Sequence, residues 1–266
     1  MQFTLTEDQI AVRDMARDFA AEKIAPFALK WDEEKHFPVE MMREAAALGI
    51  GGIYIRDDVG GSTLSRLVAA LIFEALAQGC PTVSSFISIH NMASWMIDAY
   101  GSDEQRRKWL PKLCTMELLA SYCLTEPGAG SDAAPCGPAR RATEIITLST
   151  DRSSLYRAPA RATSMSLWSA PETTARMAFQ HSWRAASALD REETDATMLC
   201  AMAKRFATDV GFEVANQALQ LHGGYGYLSE YGIEKIVRDL RVHQILEGTD
   251  EIMRVIVSRK LIEGAR

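Results

Sequence analysis

Residues 199–224 read LCAMAKRFATDVGFEVANQALQLHGG. Leu199, Met202, Phe206, Val210, Val214, Ala218 and Leu221 recur at steps of three or four, the spacing of one face of an α-helix. Gly223-Gly224 closes the run, as glycine does at helix C-termini. The stretch predicts one long amphipathic helix, and its period sets the class for what surrounds it. Downstream, Ile233, Ile236, Val237 and Leu240 mark a second helix. After the turn at Glu247-Gly248-Thr249, a third carries Ile252, Val255, Ile256 and Ile262.

The same period runs through residues 1–126. Thr6 with Gln9 three positions on forms a capping box, followed by Val12, Met15, Ala16, Phe19 and Ala20 on one face. Pro26 ends or kinks that helix, because proline has no N–H to give. Phe37-Pro38 opens another, with Met41, Met42, Ala45 and Leu48 before a stop at Gly51-Gly52. Gly60-Gly61-Ser62 reads as a loop. Leu64, Leu67, Val68, Leu71, Ile72 and Leu76 make a wide apolar stripe, so that helix is expected to be buried. Two more helical stretches cover about 84–100 and 102–117. Strand-like alternation is almost absent, and the expected class is mainly α.

Composition narrows the function. The net charge of −6 offers no general attraction for nucleic acid or for an anionic membrane surface. Five scattered cysteines without a CxxC pair argue against a disulfide framework or a zinc site and suit a reducing compartment. No run of about 18 apolar residues exists, so no membrane span is expected. No Arg-rich amphipathic leader precedes the first helix.

Residues 136–184 differ. They hold seven arginines (Arg140, Arg141, Arg152, Arg157, Arg161, Arg176 and Arg184), no lysine, and only Glu144, Asp151 and Glu172 as acids. Apolar periodicity disappears, and ordering costs roughly 1–2 kcal/mol per residue that such a segment cannot recover by burial. The expectation is a disordered linker or wrongly translated insert between a domain at 1–135 and one at 185–266.

Three stretches carry chemistry. In Tyr122-Cys123-Leu124-Thr125-Glu126-Pro127-Gly128-Ala129-Gly130-Ser131-Asp132, proline and glycines force a turn whose amides can donate to a phosphate or ring carbonyl. Thr125 and Ser131 add hydroxyls. Spacing alone leaves a plain loop as the commoner reading. Gln220-Leu221-His222-Gly223-Gly224-Tyr225-Gly226-Tyr227 reads first as a helix cap, with His222 a capping or packing histidine rather than a metal ligand. In Leu246-Glu247-Gly248-Thr249, spacing alone makes Glu247 a solvated loop carboxylate and Thr249 a cap for the next helix.

Residue identities go further. The first run resembles the Y-C-x-T-E-P-x-A-G-S-D signature of the acyl-CoA dehydrogenases, flavoenzymes that oxidise the Cα–Cβ bond of acyl-CoA thioesters. The resemblance implies that Tyr122, Leu124 and Thr125 lie against the isoalloxazine of FAD. It implies that Gly130 and Ser131 reach the flavin and the CoA part of the substrate. The second run is similar to the family's Q-x-x-G-G-x-G-(Y/F), which gives Gln220 and Gly224 to the ADP part of FAD, partly across a subunit interface. The third matches the turn that carries the catalytic base, here Glu247, with Gly248 at the substrate and Thr249 at the cofactor's diphosphate end. Glu at this position favours a short or medium acyl chain. Leu5–Gln9, Phe37–Met42, Ser88-Ile89-His90-Asn91 and Cys114–Glu117 look most like the branch that acts on isobutyryl-CoA in valine catabolism. Family partners would be the acyl-CoA substrate, an electron-transferring flavoprotein and further copies of the chain, in the mitochondrial matrix.

The departure from the family lies in the middle. Members pass from the signature loop into a central β-barrel, with a W/F-(I/L)-(S/T)-x-(G/A) stretch and later an R-x-x-F-G motif; neither is found here. Trp168 is followed by Ser-Ala-Pro and does not match. The expected fold is therefore an N-terminal helical domain plus part of a C-terminal helical bundle, with the barrel absent and Phe206 and Val214 short of neighbours. The Arg/Ala/Ser bias favours out-of-frame reading over a shortened paralogue as the origin of 136–184.

Overall fold

Thr6 accepts the N–H of Gln9 while the Gln9 side chain accepts the N–H of Thr6, and this capping box starts α1 (Glu7–Phe19). Ala16 and Phe19 face inward, and the helix widens into a π turn at Ala20–Ile24 before Pro26 breaks it. The structure, a computed structural model, describes residues 4–122, 130–131, 146–149 and 172–264. These fall into two compact units. One is Met1–His36, Arg66–Ser84 and Arg161–Arg266; the other is Phe37–Ser65 and Ser85–Ala160.

The first unit holds α1, α2 (Ala28–Glu33), α4 (Arg66–Gly79), α7 (Glu172–Asp190), α8 (Ala196–His222), α9 (Ile233–His243) and α10 (Asp250–Gly264). The stripe predicted for α4 is real, since Leu71, Ile72 and Leu76 are fully buried. The π turn after α1 approaches so closely that a Cβ on Gly79 would lie 2.8 Å from the Ala20 carbonyl oxygen, which leaves room for glycine alone. Helix α4 packs in turn on α7, where Trp183 Nε1 donates to Glu74 Oε2 at 3.1 Å. The first amides of α4, Arg66 and Leu67, donate to the Asp190 carboxylate at 2.7 and 3.0 Å. These are orphan donors of a helix start, and an acid from the end of α7 satisfies them. Helix α8 is the long helix read from Leu199 to Leu221, and α7, α9 and α10 all pack on it. A buried ion pair, Lys235 with Asp239, lies beside Cys80, whose sulfur is 3.5 Å from Lys235 Nζ.

The second unit holds α3 (Val39–Ala47), α6 (Asp103–Cys114), the bulk of α5 (Pro81–Tyr100), and a two-stranded antiparallel pair, β1 (Leu119–Tyr122) with β2 (Ile146–Ser149). Met41, Met42 and Ala45 are buried as the period requires, while Leu48 is exposed. Helix α3 ends at the left-handed Gly49, and Gly51-Gly52, expected as the stop, belong to a 3₁₀ turn beyond it. Asn91 binds that turn to α5: its Oδ1 accepts the Ile53 N–H at 2.7 Å, and its Nδ2 donates to Ile50 O and Ile87 O. Arg106, itself buried, binds Asp58 and the buried Asp98, and Arg56 adds a second guanidinium to Asp98.

Two expectations need correction. Part of the 136–184 segment is ordered helix, because α7 begins at Glu172. Its inward face is Ala178, Ser182, Ala185, Ala186 and Ala188, small residues that let the helix sit close on α8 without the large apolar side chains that mark a stripe. Phe206 therefore does not lack neighbours: with Phe179 and Val210 it packs around Ala178 and Ala207, and its ring lies 5.3 Å from that of His181. Val214 is buried as well. The strand pair was also unforeseen; among the described residues it is the only sheet and there is no barrel, and the mainly α class stands.

Candidate active site

The Glu247 turn is built by the end of α9 and the start of α10. Ile245 and Leu246 donate back to the Val242 carbonyl, both at 3.0 Å, so the helix tightens before it stops. The chain then reverses through Glu247 at φ +54° and Gly248 at φ +90°. Left-handed backbone is uncommon for a residue with a side chain, and where it persists the surroundings must enforce it. Glycine suits position 248 because a φ of +90° is backbone that residues with a side chain rarely adopt. Thr249 Oγ1 accepts the Ile252 N–H at 3.4 Å, the capping role read from its place in the sequence. Glu247 is half-buried, yet both its carboxylate oxygens are buried, contrary to the solvated reading that spacing alone favours.

Helix α8 holds this turn from behind. Lys204 Nζ donates to Gly248 O at 2.9 Å and to Asp250 Oδ1 at 2.6 Å. The Thr208 hydroxyl lies 3.0 and 3.1 Å from the two Asp250 oxygens, and Gln244 Nε2 donates to Asp209 Oδ1 at 3.0 Å. Burial pushes the Asp250 carboxyl above its ordinary range, and Lys204 and Thr208 pull against that. Burial, helped by the Lys204 charge, holds His243 down to about 4, so its ring is neutral. Sequence reading missed Lys204, Thr208, Asp209, Gln244 and Asp250. Of these, Gln244 and Asp250 flank the motif, whereas Lys204, Thr208 and Asp209 lie far upstream on α8 and carry no local signal.

The glycine-rich corner lies at the other end of α8. His222 Nδ1–H donates to Ala218 O at 2.8 Å, a local cap, and the chain enters a 3₁₀ turn at Gly223–Tyr227. Gln220, Gly223 and Gly224 are exposed. Leu221 and Tyr227 are 89% and 82% exposed, so a strongly apolar surface surrounds the glycines. A Cβ on Gly223 or Gly224 would meet no atom within 4 Å, and the backbone is open to close approach. Sixteen residues of helix separate Lys204 from Gln220, about 24 Å at 1.5 Å per residue. The corner and the Glu247 turn thus cannot grip the same small group within one copy of this unit.

The signature loop starts from β1 in the second unit. Tyr122 ends that strand, half-buried and paired in register with Ile146. His90 fixes the strand: its Nδ1 accepts the Ala120 N–H at 3.0 Å, while Nε2 bonds Leu113 O at 2.9 Å. Leu124 and Thr125 lie outside the described residues. Gly130 and Ser131 are exposed, and no atom lies within 4 Å of a Cβ placed on Gly130. Among the described residues, no three His, Cys, Asp or Glu come together to hold a metal ion, and no helix is long and apolar enough to cross a membrane.

Comparison with known proteins fits this layout. The family description "Acyl-CoA dehydrogenase, N-terminal domain" matches residues 6–117, and "Acyl-CoA dehydrogenase, C-terminal domain" matches 137–262. The second match begins well before residue 185, in line with the helix α7. The mitochondrial isobutyryl-CoA dehydrogenase of Bos taurus is 35% identical over 374 aligned positions, covering 97% of this chain and 90% of that protein. The one from Dictyostelium discoideum is 37% identical, with the same coverage. Since this chain has 266 residues, at least 374 − 266 = 108 positions of the first alignment are gaps in it. In fold, the butyryl-CoA dehydrogenase of Megasphaera elsdenii superposes with a TM-score of 0.79 at 21% identity, over 98% of this chain and 100% of that one. Two matched domains, and close relatives aligned almost end to end, show that the chain belongs to the acyl-CoA dehydrogenase family.

Proposed function

We propose that the chain is an FAD-dependent dehydrogenase of a short branched acyl-CoA, isobutyryl-CoA or a close analogue, with Glu247 as the base that removes the α-proton. The observation that carries the reading is the burial of both Glu247 oxygens on a left-handed turn. The α-proton of a thioester is only weakly acidic. A carboxylate withdrawn from water takes protons more readily, and a backbone held in one conformation aims it. The relatives at 35% and 37% identity that are named isobutyryl-CoA dehydrogenases support the substrate.

The residues present fit the cofactor. At Gly224 and Gly130 the backbone is open on the side where a side chain would stand, as close approach of a nucleotide or ring requires. Gln220 and Gly224 would hold its ADP part, Thr249 its diphosphate end, and Tyr122, Leu124, Thr125, Gly130 and Ser131 its ring. The length of α8 between Gln220 and the Glu247 turn supports a cofactor gripped by two copies of the chain. Bound FAD supplies the hydride acceptor for the substrate's Cβ. The chain's own part is to take the α-proton at Glu247 and to offer the Glu247 N–H to the thioester carbonyl. Ser131 and Gly248 would line the path of the thioester. An electron-transferring flavoprotein as acceptor, a homotetramer and a place in the mitochondrial matrix complete the proposal, as does a domain division near residue 135.

The gap of at least 108 positions favours a second reading, a non-catalytic chain that retains family helices and joins intact relatives. Purification with FAD, followed by oxidation of isobutyryl-CoA with an artificial acceptor, separates the two. Glu247→Gln, made also in a form with the missing positions restored, is expected to keep FAD and lower turnover by about 10²–10⁴-fold. Turnover near that of the unsubstituted protein would reject Glu247 as the base.

A further inference from the structure

We propose that Lys204 is a positioning residue for the Glu247 turn, an inference that rests on the reading of Glu247 as the base. The turn runs between fixed ends, and α8 provides both fixtures. At one end Gln244 is tied to Asp209, and the Asp250 N–H donates to the Gln244 carbonyl at 3.1 Å, closing the loop on itself. At the other, Lys204 holds the peptide that follows Gly248 and the carboxylate that opens α10. Its side chain is 12% exposed and that of Asp250 is 5% exposed, so both charges are largely out of water and depend on each other. Lys204 and Thr208 are one helical turn apart and present their polar ends to the same side of α8.

The geometry explains why lysine suits the place. An ammonium has three donors in no fixed plane, and here two of them serve acceptors of different kinds, a carbonyl and a carboxylate. Glu247 and Gly248 are consecutive left-handed residues, a path that an unrestrained chain leaves readily. Binding Gly248 O fixes the peptide plane on one side of that path. Without Lys204, Gly248 O and Asp250 would both lose a donor, and the direction in which the Glu247 side chain leaves the turn would no longer be set.

Hydrogen exchange on the 266-residue chain tests the clamp directly. Lys204→Met should speed exchange of the amides of residues 245–250 by at least tenfold, while α4 and α7 keep their protection. Lys204→Arg should restore most of that protection. The double variant Lys204→Met/Asp250→Asn removes the stranded charge, so its melting temperature should return toward that of the parent while the turn stays unprotected. The chemical arm follows α-proton exchange of isobutyryl-CoA in D₂O with FAD supplied. Lys204→Met should lower kcat at least tenfold with KM within about twofold. If Glu247→Gln leaves α-proton exchange intact while Lys204→Met loosens the turn, the base assignment fails and the clamp stands. If residues 245–250 stay protected in both Met variants, the positioning role is overturned, whatever the chemistry shows.

Discussion

Replacing His90 with glutamine should flatten the acid side of the stability profile by an amount that the structure fixes. The ring is fully buried on α5 between two backbone groups. Ala120 donates to Nδ1, so Nδ1 carries no hydrogen, and the neutral ring donates through Nε2 to Leu113. Protonation would set a second hydrogen against the Ala120 N–H and place a charge in a dry site. Burial accordingly lowers the His90 pKa from 6.5 to about 4. A folded-state pKa below the unfolded one means that the unfolded chain takes up the proton first as pH falls. The stability is whole above pH 6.5 and is lost on the way down to about 4. With these two values, the loss from His90 alone between pH 7.5 and pH 5 is about 2 kcal/mol. Glutamine keeps a donor and an acceptor but does not titrate in this range. Urea unfolding at pH 7.5, 6 and 5, followed by far-UV circular dichroism, gives both profiles, and His243 cancels because both proteins contain it. The parent should lose about 2 kcal/mol more than His90→Gln over that interval. Parallel profiles would refute the neutral-ring assignment and, with it, the account of how β1 is held.

Asn91→Ala strands the Ile53 N–H and the Ile50 carbonyl in a dry site and opens a small void. Urea unfolding should show a loss of about 3–5 kcal/mol, and a loss below about 1 kcal/mol would mean that water or a neighbour replaces the amide. Glu74 behaves oppositely to His90: burial raises its pKa to about 7 despite the Trp183 donor, so the folded state holds the proton longer. Its contribution is present below about pH 4.5 and is lost as pH rises to about 7. Glu74→Gln should therefore remove a decline worth up to about 3 kcal/mol between pH 4.5 and 8, measured as melting curves across that range. An unchanged pH profile in that variant would place the carboxyl in water rather than against α7.

The parts of this protein that its sequence reveals are those whose cause is local. The capping box at Thr6 and Gln9 needs only four residues to work, and it opens α1 as expected. The long α8 could be read because large apolar side chains recur at its period. Helix α7 could not, because its contact with α8 is made by alanine and serine, whose value is closeness rather than area, and closeness exists only once the partner is there. The pair β1 and β2 fails for the same reason: each strand is four residues long, and its partner lies outside any local window. The Glu247 turn shows both cases within a few residues. Its motif is legible and marks Glu247 as the proposed base, but nothing local says that the carboxylate oxygens are buried or that a left-handed glutamate is held in place. That information sits 43 residues upstream in Lys204, which in sequence is one more charge on an amphipathic helix. A buried ion pair and a solvated one are written with the same letters. Only the fold, by drawing Asp250 and Gly248 to the ammonium at 2.6 and 2.9 Å, ties that charge to the turn that carries Glu247.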